Sequence, residues 1–441
     1  MTSGRIFVLL TVLVGGVGTA VNGAVFYVRL FYLGVLLLLL AWLFTVLSLR
    51  GIALERRARA HRAAVGDVFE EHFEISNSSR FTKFWLEVVN KTTIPNASGS
   101  RVVTLLRGRQ KRFYTARTWL TKRGGYALGP TTISSGDPFG IFRSTREVEA
   151  ERNLIVFPML FQVRDFLSPP GLLSGGKAIK RKSMDITPHA AGVREYVHGD
   201  PLKRIHWPTS MRRDQLMVKE FEQDPQAEVW LFLDTHKSVH ASKENAEADT
   251  PLIIDDLYLL QRKKAKLPPS TLEYSISITA SLAHYFIGQR RSVGLVTATE
   301  RSYKVIPAER SERQEDKILE SLAFLEGESN VMLPSLVTAQ IGQLPQGSSA
   351  ILITPMIWSE LLLAVDSLQR RNLRPLVVLL MSHTFGGRPG SEDLAKSLME
   401  RNIPVCPVYC EADLSEVLSS FTTNTFAQES AWRQPVLSHL T

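Results

Sequence analysis

The hydrophobic pattern breaks into two regimes at about residue 50. Residues 6–28 (IFVLLTVLVGGVGTAVNGAVFYV) and 30–49 (LFYLGVLLLLLAWLFTVLSL) carry no charged side chain, and Arg29 alone separates them. At a helical rise of about 1.5 Å per residue, each run is long enough to cross a hydrocarbon core of about 30 Å. The second is nearly all Leu, Val, Phe and Trp; the first is diluted by Gly15, Gly16, Gly18 and Asn22, which membrane helices tolerate. Arg50, Arg56, Arg57, Arg59 and Arg62 follow the second run against the single acid Glu55, and Arg5 precedes the first. The positive-inside rule then predicts a transmembrane helical hairpin over 1–50 with both ends in the cytoplasm. The five arginines are expected at the membrane surface, where each is worth about 1 kcal/mol against anionic headgroups. A topology signal without specific lipid contact explains them equally well. A cleaved signal peptide over residues 1–21 is the competing reading; the second run would then be an uncleaved anchor of reversed topology.

From 63 to 160 the pattern changes to short β-rich runs punctuated by Gly, Pro and Asn. Val68–Ile75, Phe84–Val89, Arg101–Leu106, Lys111–Leu120 and Tyr126–Ile133 read as strands of a small β-sandwich-like domain. Arg123-Gly124-Gly125-Tyr126 and Asp137-Pro138-Phe139-Gly140 supply turn chemistry, with Asp137 a turn-forming side chain. Residues 161–190, with Pro169-Pro170-Gly171, Gly175-Gly176 and a basic run at Lys177–Lys182, predict a linker or wrapping loop with little deep packing.

The segment 192–222 (GVREYVHGDPLKRIHWPTSMRRDQLMVKEFE) is unusually charged for a loop that also holds two aromatics. Gly199-Asp200-Pro201 marks a turn. Arg194, Tyr196, Asp200, Arg204, His206, Trp207, Arg212 and Lys219 form either a structural network, with Asp200 paired to arginine, or a partner-binding surface. Asp200 and His206 could serve as acid and base, but no nucleophile spacing, phosphate loop or metal triad accompanies them. The segment resembles the signature of the DUF58 family of bacterial proteins, a pattern near R-x-Y-x-x-G-D-x-x-R-x-I-x-W-x-x-S-A-R followed by V-K-E-F-E. Arg194, Tyr196, Gly199, Asp200, Arg204, Ile205, Trp207, Ser210, Arg212, Val218, Lys219, Glu220 and Phe221 match; Met211 and Pro208 depart from it. The two turns of the β-domain and the front hairpin also resemble that family. The 161–225 stretch is therefore read as a linker carrying the family motif.

Beyond 226 the chain alternates strand and helix to its end at 441. Glu228–Leu233, Val293–Thr297, Tyr303–Ile306, Ala350–Ile353, Leu376–Met381 and Val405–Val408 read as strands. Leu272–Gln289, with Leu272, Ile276, Ala280, Ala283 and Ile287 on one face, Ile318–Leu325, Ser359–Leu368 and Ser391–Arg401 read as helices. Continuous apolar strands between helices predict a mostly parallel sheet covered on both faces. Residues 241–270 read as a mobile, charged insertion. The family resemblance implies a von Willebrand A-like domain. Asp234-Thr235-His236-Lys237-Ser238 is similar to that domain's D-x-S-x-S metal motif, at a strand end where such sheets bind ligands. Mg²⁺ wants an octahedron of oxygens. Asp234 and Ser238 keep theirs, but His236 replaces the central Ser, and Thr354-Pro355 stands where a further acid is expected. A degenerate site without metal is the expectation.

Composition adds limits. The 441 residues are 44% hydrophobic and 22% charged, an ordinary globular balance that excludes collagen-like and wholly disordered chains. Two cysteines exclude a disulfide framework, and Cys406 and Cys410, without a second pair, read as packing residues rather than zinc ligands. The net charge of +9 suggests an anionic partner, but much of the basic excess lies beside the apolar runs, which points to lipid rather than nucleic acid. The chain is thus expected to be a multidomain, multi-pass bacterial inner-membrane protein with soluble domains in the cytoplasm. Its expected role is a non-enzymatic scaffold or adaptor without cofactor. The resemblance implies a MoxR-type AAA+ ATPase as protein partner. A Mg²⁺-dependent, adhesion-like protein binder is the alternative.

Overall fold

The computed structural model describes residues 3–149, 153–167, 190–197, 205–221, 228–243, 266–300 and 302–421. The chain forms two compact units. One comprises Met1–Leu160, Lys243–Ala280 and Asp316–Glu326; the other comprises Phe161–Ser242, Ser281–Glu315 and Gly327–Thr441.

In the first unit the apolar runs form helices α1 (Ser3–Asn22) and α2 (Val25–Ser48), joined at Gly23-Ala24. Both are long and apolar enough to cross a membrane. Only 11% and 17% of their apolar windows are buried, whereas the core helix of a soluble domain would be covered. Small residues set their separation. A Cβ at Gly15 would sit 2.7 Å from the backbone N of Phe31, so a glycine there lets the two backbones approach.

The β-domain starts at the end of α2, not at residue 63. Leu49-Arg50-Gly51 turns the chain, with Gly51 at a left-handed φ of 73°, straight into β1 (Ile52–Ala58). β1 pairs antiparallel with β3 (Val68–Asn77), which pairs with β6 (Lys111–Trp119). A four-stranded antiparallel sheet runs β5 (Arg101–Leu106), β4 (Lys83–Asn90), β8 (Thr131–Gly136), β9 (Arg143–Val148). Ile52, Leu54, Phe73, Ile75 and Tyr114 of the first sheet and Leu86, Val88, Val103 and Ile133 of the second form one core, as a sandwich requires. A third sheet, β2 (Arg62–Ala64), β10 (Asn153–Phe157), β7 (Gly124–Ala127), closes over Phe69, Leu120, Leu128 and Leu154.

This register moves most of the expected membrane-surface arginines. β1 advances about 3.3 Å per residue away from the helix end. The Arg56 side chain is 13% exposed and pairs with the fully buried Glu71 carboxylate, while also donating to the Leu128 carbonyl. Burial pushes the Glu71 carboxyl above its ordinary value, against the pull of the Arg56 guanidinium. Arg57 pairs with Glu55, Arg59 with Glu70, and Arg62 with Asp316. Arg56 is thus a core residue, Arg59 and Arg62 are neutralised at the strand's far end, and only Arg50 stays at the helix terminus.

In the second unit a six-stranded sheet has the order β15-β14-β13-β16-β17-β18. The strands are β13 (Val229–Leu233), β14 (Val293–Ala298), β15 (Tyr303–Glu309), β16 (Ser349–Thr354), β17 (Arg374–Leu380) and β18 (Val405–Val408). Five are parallel and the edge strand β15 is antiparallel, so the sheet is mixed. Every residue of β13, β14 and β16 is buried, which explains their continuous apolar runs. Helices α6 (Leu333–Gln340), α7 (Glu360–Arg370) and α8 (Ser391–Glu400) bury Leu336, Val365 and Leu398 with Trp230, Phe232 and Val377 of the sheet.

The remaining helices are α3 (Trp207–Arg213), α4 (Thr271–Gly288), α5 (Glu312–Ala323) and α9 (Leu414–Ser420). α4 is buried all round from Tyr274 to Ala283, not on one face. Its serines and threonines are small enough to bury, and Thr279 donates to the Ser275 carbonyl. The start of the expected linker is also packed. Phe166 is 1% exposed and meets the Phe286 ring edge-on at 6.1 Å. The Pro-Pro-Gly and basic runs of that linker, and residues 244–265 of the expected insertion, lie outside the described residues.

Removing one partner of the Glu71–Arg56 pair leaves a buried charge. Glu71→Ala should cost about 3 kcal/mol or more, read as a lowered unfolding midpoint of the detergent-solubilised chain. Arg56→Met combined with Glu71→Leu should cost less than Glu71→Ala alone. An unchanged midpoint in Glu71→Ala contradicts the assignment.

Candidate functional site

Two places assemble the residues singled out by sequence, both in the second unit. The first is an antiparallel hairpin of β11 (Ala190–Glu195) and β12 (Met217–Phe221), with α3 between its strands. His206 ends its extended approach as the helix N-cap: its Nδ1 accepts from the Thr209 N–H, and Pro208 sits in the first turn, where no N–H is needed. Ser210 is buried; its hydroxyl donates to the His206 carbonyl and accepts from the Met217 N–H at 2.8 Å. Ile205, Met217 and Val218 are buried, and Ile205 bridges Val218. These motif residues are spent on holding α3 against β12.

α3 presents two large apolar side chains outward. Trp207 and Met211, one turn apart on one helix face, are 61% and 83% exposed. Val197 and Leu216 at the same end of the hairpin are also exposed, and the adjoining Tyr196 N–H donates to the Leu216 carbonyl. Arg212 and Arg213 occupy the last turn, where the helix dipole favours cations. Arg194 lies opposite Val218 and Lys219 opposite Val193 in the ladder. Asp200 and Arg204 lie outside the described residues, and so does any pairing of Asp200 with His206. Met211, Val197 and Leu216 were missed by sequence reasoning; the signal was apolar residues recurring within a charged stretch.

The second place is the carboxyl end of β13. Strand order 3-2-1-4-5-6 puts the topological switch point between β13 and β16, where open α/β sheets bind ligands. Asp234 and Thr354 terminate these two strands. The Asp234 carboxylate is fully buried: Oδ2 accepts from the Thr354 hydroxyl at 2.6 Å and Oδ1 from the His236 N–H at 3.1 Å. Burial pushes its pKa from 3.8 up to about 6, the Thr354 and His236 bonds pulling the other way. The Ser238 hydroxyl turns to His236 Nδ1 at 2.8 Å, and His240 Nε2 lies 3.1 Å from the Asp234 carbonyl. Burial lowers the His240 pKa to about 4. Both carboxylate oxygens already take protein donors, and no group of three His, Cys, Asp or Glu suited to a metal occurs among the described residues. The residues do not fit a Mg²⁺ site.

The other candidates are plainly placed. Cys406 is buried, its thiol pushed up to about 12 by desolvation, and Cys410 is half-buried. His284 sits at the solvent edge of α4, 2.7 Å from Glu315.

Comparison with known proteins bears on the first place. The family model "Protein of unknown function DUF58" matches residues 192–254, which span the hairpin and the Asp234 turn. An uncharacterized protein, YeaD, of Bacillus subtilis (strain 168) is 32% identical over 120 residues, 26% of this chain and 29% of that protein. The chain thus aligns with under a third of that relative's length. Both matches support the DUF58 family. Among solved structures, the CARDB domain of a Pyrococcus furiosus protein is similar over 24% of this chain and 91% of that one, at 12% identity and a TM-score of 0.17. A complex of zinc 2-glycoprotein and prolactin inducible protein from human seminal plasma is similar over 23% of this chain and 92% of that one, at 9% identity and a TM-score of 0.18. Likeness at these TM-scores carries no weight for fold or function.

The raised Asp234 value has a sign. The folded chain holds more protons than the unfolded one between about pH 4 and about 6, so this group's contribution falls as pH rises through that window. Asp234→Asn removes the titration. Its stability gain over wild type should grow across that window and level off above it at about 2–3 kcal/mol, read from denaturant midpoints at pH 4, 5, 6 and 8. A Mg²⁺-dependent rise in the wild-type midpoint that Asp234→Asn abolishes contradicts this and restores the metal reading.

Proposed function

We propose that the chain is a membrane-anchored, non-enzymatic scaffold whose soluble domains lie in the cytoplasm of a bacterial cell and bind a protein partner. The observation that carries this is the Trp207–Met211 pair. A capped helix holds two large apolar side chains in solvent while Ile205, His206, Ser210, Met217 and Val218 fix it against β12. An exposed Trp beside arginines is the composition of an interface anchor. Two apolar helices with Arg5 and Arg50 at one end and Arg29 within α2 near the other support insertion as a multi-pass inner-membrane hairpin. The parallel core of the sheet and the Asp234 turn at its switch point support a von Willebrand A-like domain that has lost its metal and kept a binding role. The family resemblance supplies the partner class, a MoxR-type AAA+ ATPase.

The solubilised full-length chain used as bait should recover such an ATPase. Trp207→Ser with Met211→Ser should reduce recovery at least about tenfold, the scale of a lost anchor residue, while Asp234→Asn leaves it unchanged. Equal recovery by the double variant, or no ATPase with wild type, overturns the proposal.

A further inference from the structure

The end of the β-domain that adjoins the helices differs from its opposite end. Three loops gather at the point where α2 gives way to β1: residues 78–82, residues 107–110 and residues 137–142. They are bonded to one another and to the helix ends. The Ser78 N–H donates to the Gly51 carbonyl at 2.7 Å, and the Arg109 N–H to the Ser79 carbonyl at 3.1 Å. Arg5 of α1 donates to the Ile141 carbonyl, and Ile141 is buried between Val8 of α1 and Ala41 of α2. Lys83, 4% exposed, donates to the Leu47 carbonyl at 2.6 Å, where the last turn of α2 has no internal donor. The loops are therefore level with the last turns of the apolar helices.

Their side chains have a distinct composition. Phe81, Phe84 and Phe139 are 65%, 49% and 62% exposed. Phe84 meets the Phe44 ring of α2 at 6.1 Å, and Phe44 lies four residues inside the helix end, about 6 Å down its axis. A cavity of about 270 Å³ lined by Phe44, Leu47, Phe81, Lys83 and Phe84 lies at this depth. Around the aromatics, Arg50, Arg80, Arg107 and Arg109 are exposed, and none pairs with a carboxylate among the described residues. The acid within these loops, Asp137, is buried, its oxygens taken by the N–H groups of Phe139, Ile141 and Phe142. Farther from the helices, Arg59 and Arg117 share Glu70 and Arg62 pairs with Asp316, while Arg101 lies over the Tyr114 ring.

We propose that this end of the β-domain is a lipid-docking face: Phe81, Phe84 and Phe139 lie in the interfacial layer of the bilayer, and Arg50, Arg80, Arg107 and Arg109 hold the phosphates of anionic lipids. The proposal rests on the helices spanning the membrane, but not on any protein partner. The bilayer is the occupant because the loops are held level with helix ends that must lie at its surface. Exposed aromatics at that level match the aromatic belt of membrane proteins. Unmatched arginines beside them match a surface of negative potential. The lipid-facing basic set is thus a tertiary one, drawn from two of these loops and the α2–β1 turn, and shares only Arg50 with the run after α2.

The test uses the full chain in vesicles, with Cys410→Ser to clear the accessible thiol. A fluorophore sensitive to polarity is attached at Phe81→Cys, Phe139→Cys, Leu36→Cys in the middle of α2, or Lys122→Cys beyond β6. Quenching by lipids spin-labelled near the head of the acyl chain is read for 81, 139 and 122, and by lipids labelled deeper for 36. Labels at 81 and 139 should lose about half their emission, as groups inserted about 5–10 Å do, and the label at 122 almost none. Replacing some phosphatidylcholine by phosphatidylglycerol should deepen quenching at 81 and 139. The triple change Arg80→Glu, Arg107→Glu, Arg109→Glu should cancel that increment. Quenching at 36 with none at 81 or 139 overturns the docking face and leaves the anchor standing. No quenching at 36 overturns the anchor, and the docking face with it. Equal quenching in both lipids overturns the phosphate contacts.

Discussion

The rest of the first unit depends on one joint, the passage from the apolar helix α2 to the strand β1 without a linker. A helix ending at Ser48 leaves carbonyls that nothing within the helix can satisfy. Lys83 meets the Leu47 carbonyl from β4, and burial of its ammonium pulls that group's pKa below its ordinary value. Gly51 turns the chain in a left-handed conformation beside Ser78 and Ser79 that a side chain would strain. Ile141, carried on a loop that the Asp137 carboxylate organises, fills the space between α1 and α2. Strand, loop and helix are therefore fixed together, and the sandwich cannot swing on a tether.

That joint decides where charge goes. Because β1 begins three residues after α2, arginines that follow the helix closely in sequence travel away from it along a strand, and the pleat turns them alternately inward and outward. Arg56 turns inward, where it needs Glu71; Arg57 turns outward to Glu55. The same strand geometry brings the 78–82 and 107–110 loops back to the helix end, since β3 pairs antiparallel with β1 and β6 pairs antiparallel with β3.

The apolar helices are legible in sequence because a run of twenty apolar residues has few alternatives in water. The central strands of the second unit are legible for a related reason: β13, β14 and β16, buried on both faces, need no alternation. Asp234 and Thr354 could be placed together because both end strands of such a sheet. β1 was obscured by its arginines. Ile52, Leu54 and Arg56 share its inner face, and a buried Arg breaks the apolar alternation unless its partner, fifteen residues away at Glu71, is known. Burial of Phe166 depends on Phe286 and Phe421, far along the chain. The antiparallel sense of β15 leaves no local mark. The outward face of α3 is marked only by apolar residues within a charged stretch, and the helix is too short for a periodicity to separate Trp207 and Met211 from core.

Double electron–electron resonance between spin labels at Arg29, near the start of α2, and Lys122, beyond β6, tests the joint most directly in bilayer discs. A domain fixed to its helices gives one narrow distance distribution, unchanged when the labelled chain is moved from detergent to lipid. A broad distribution, or one that shifts with the surroundings, would show a domain swinging free of its anchor and would contradict the account.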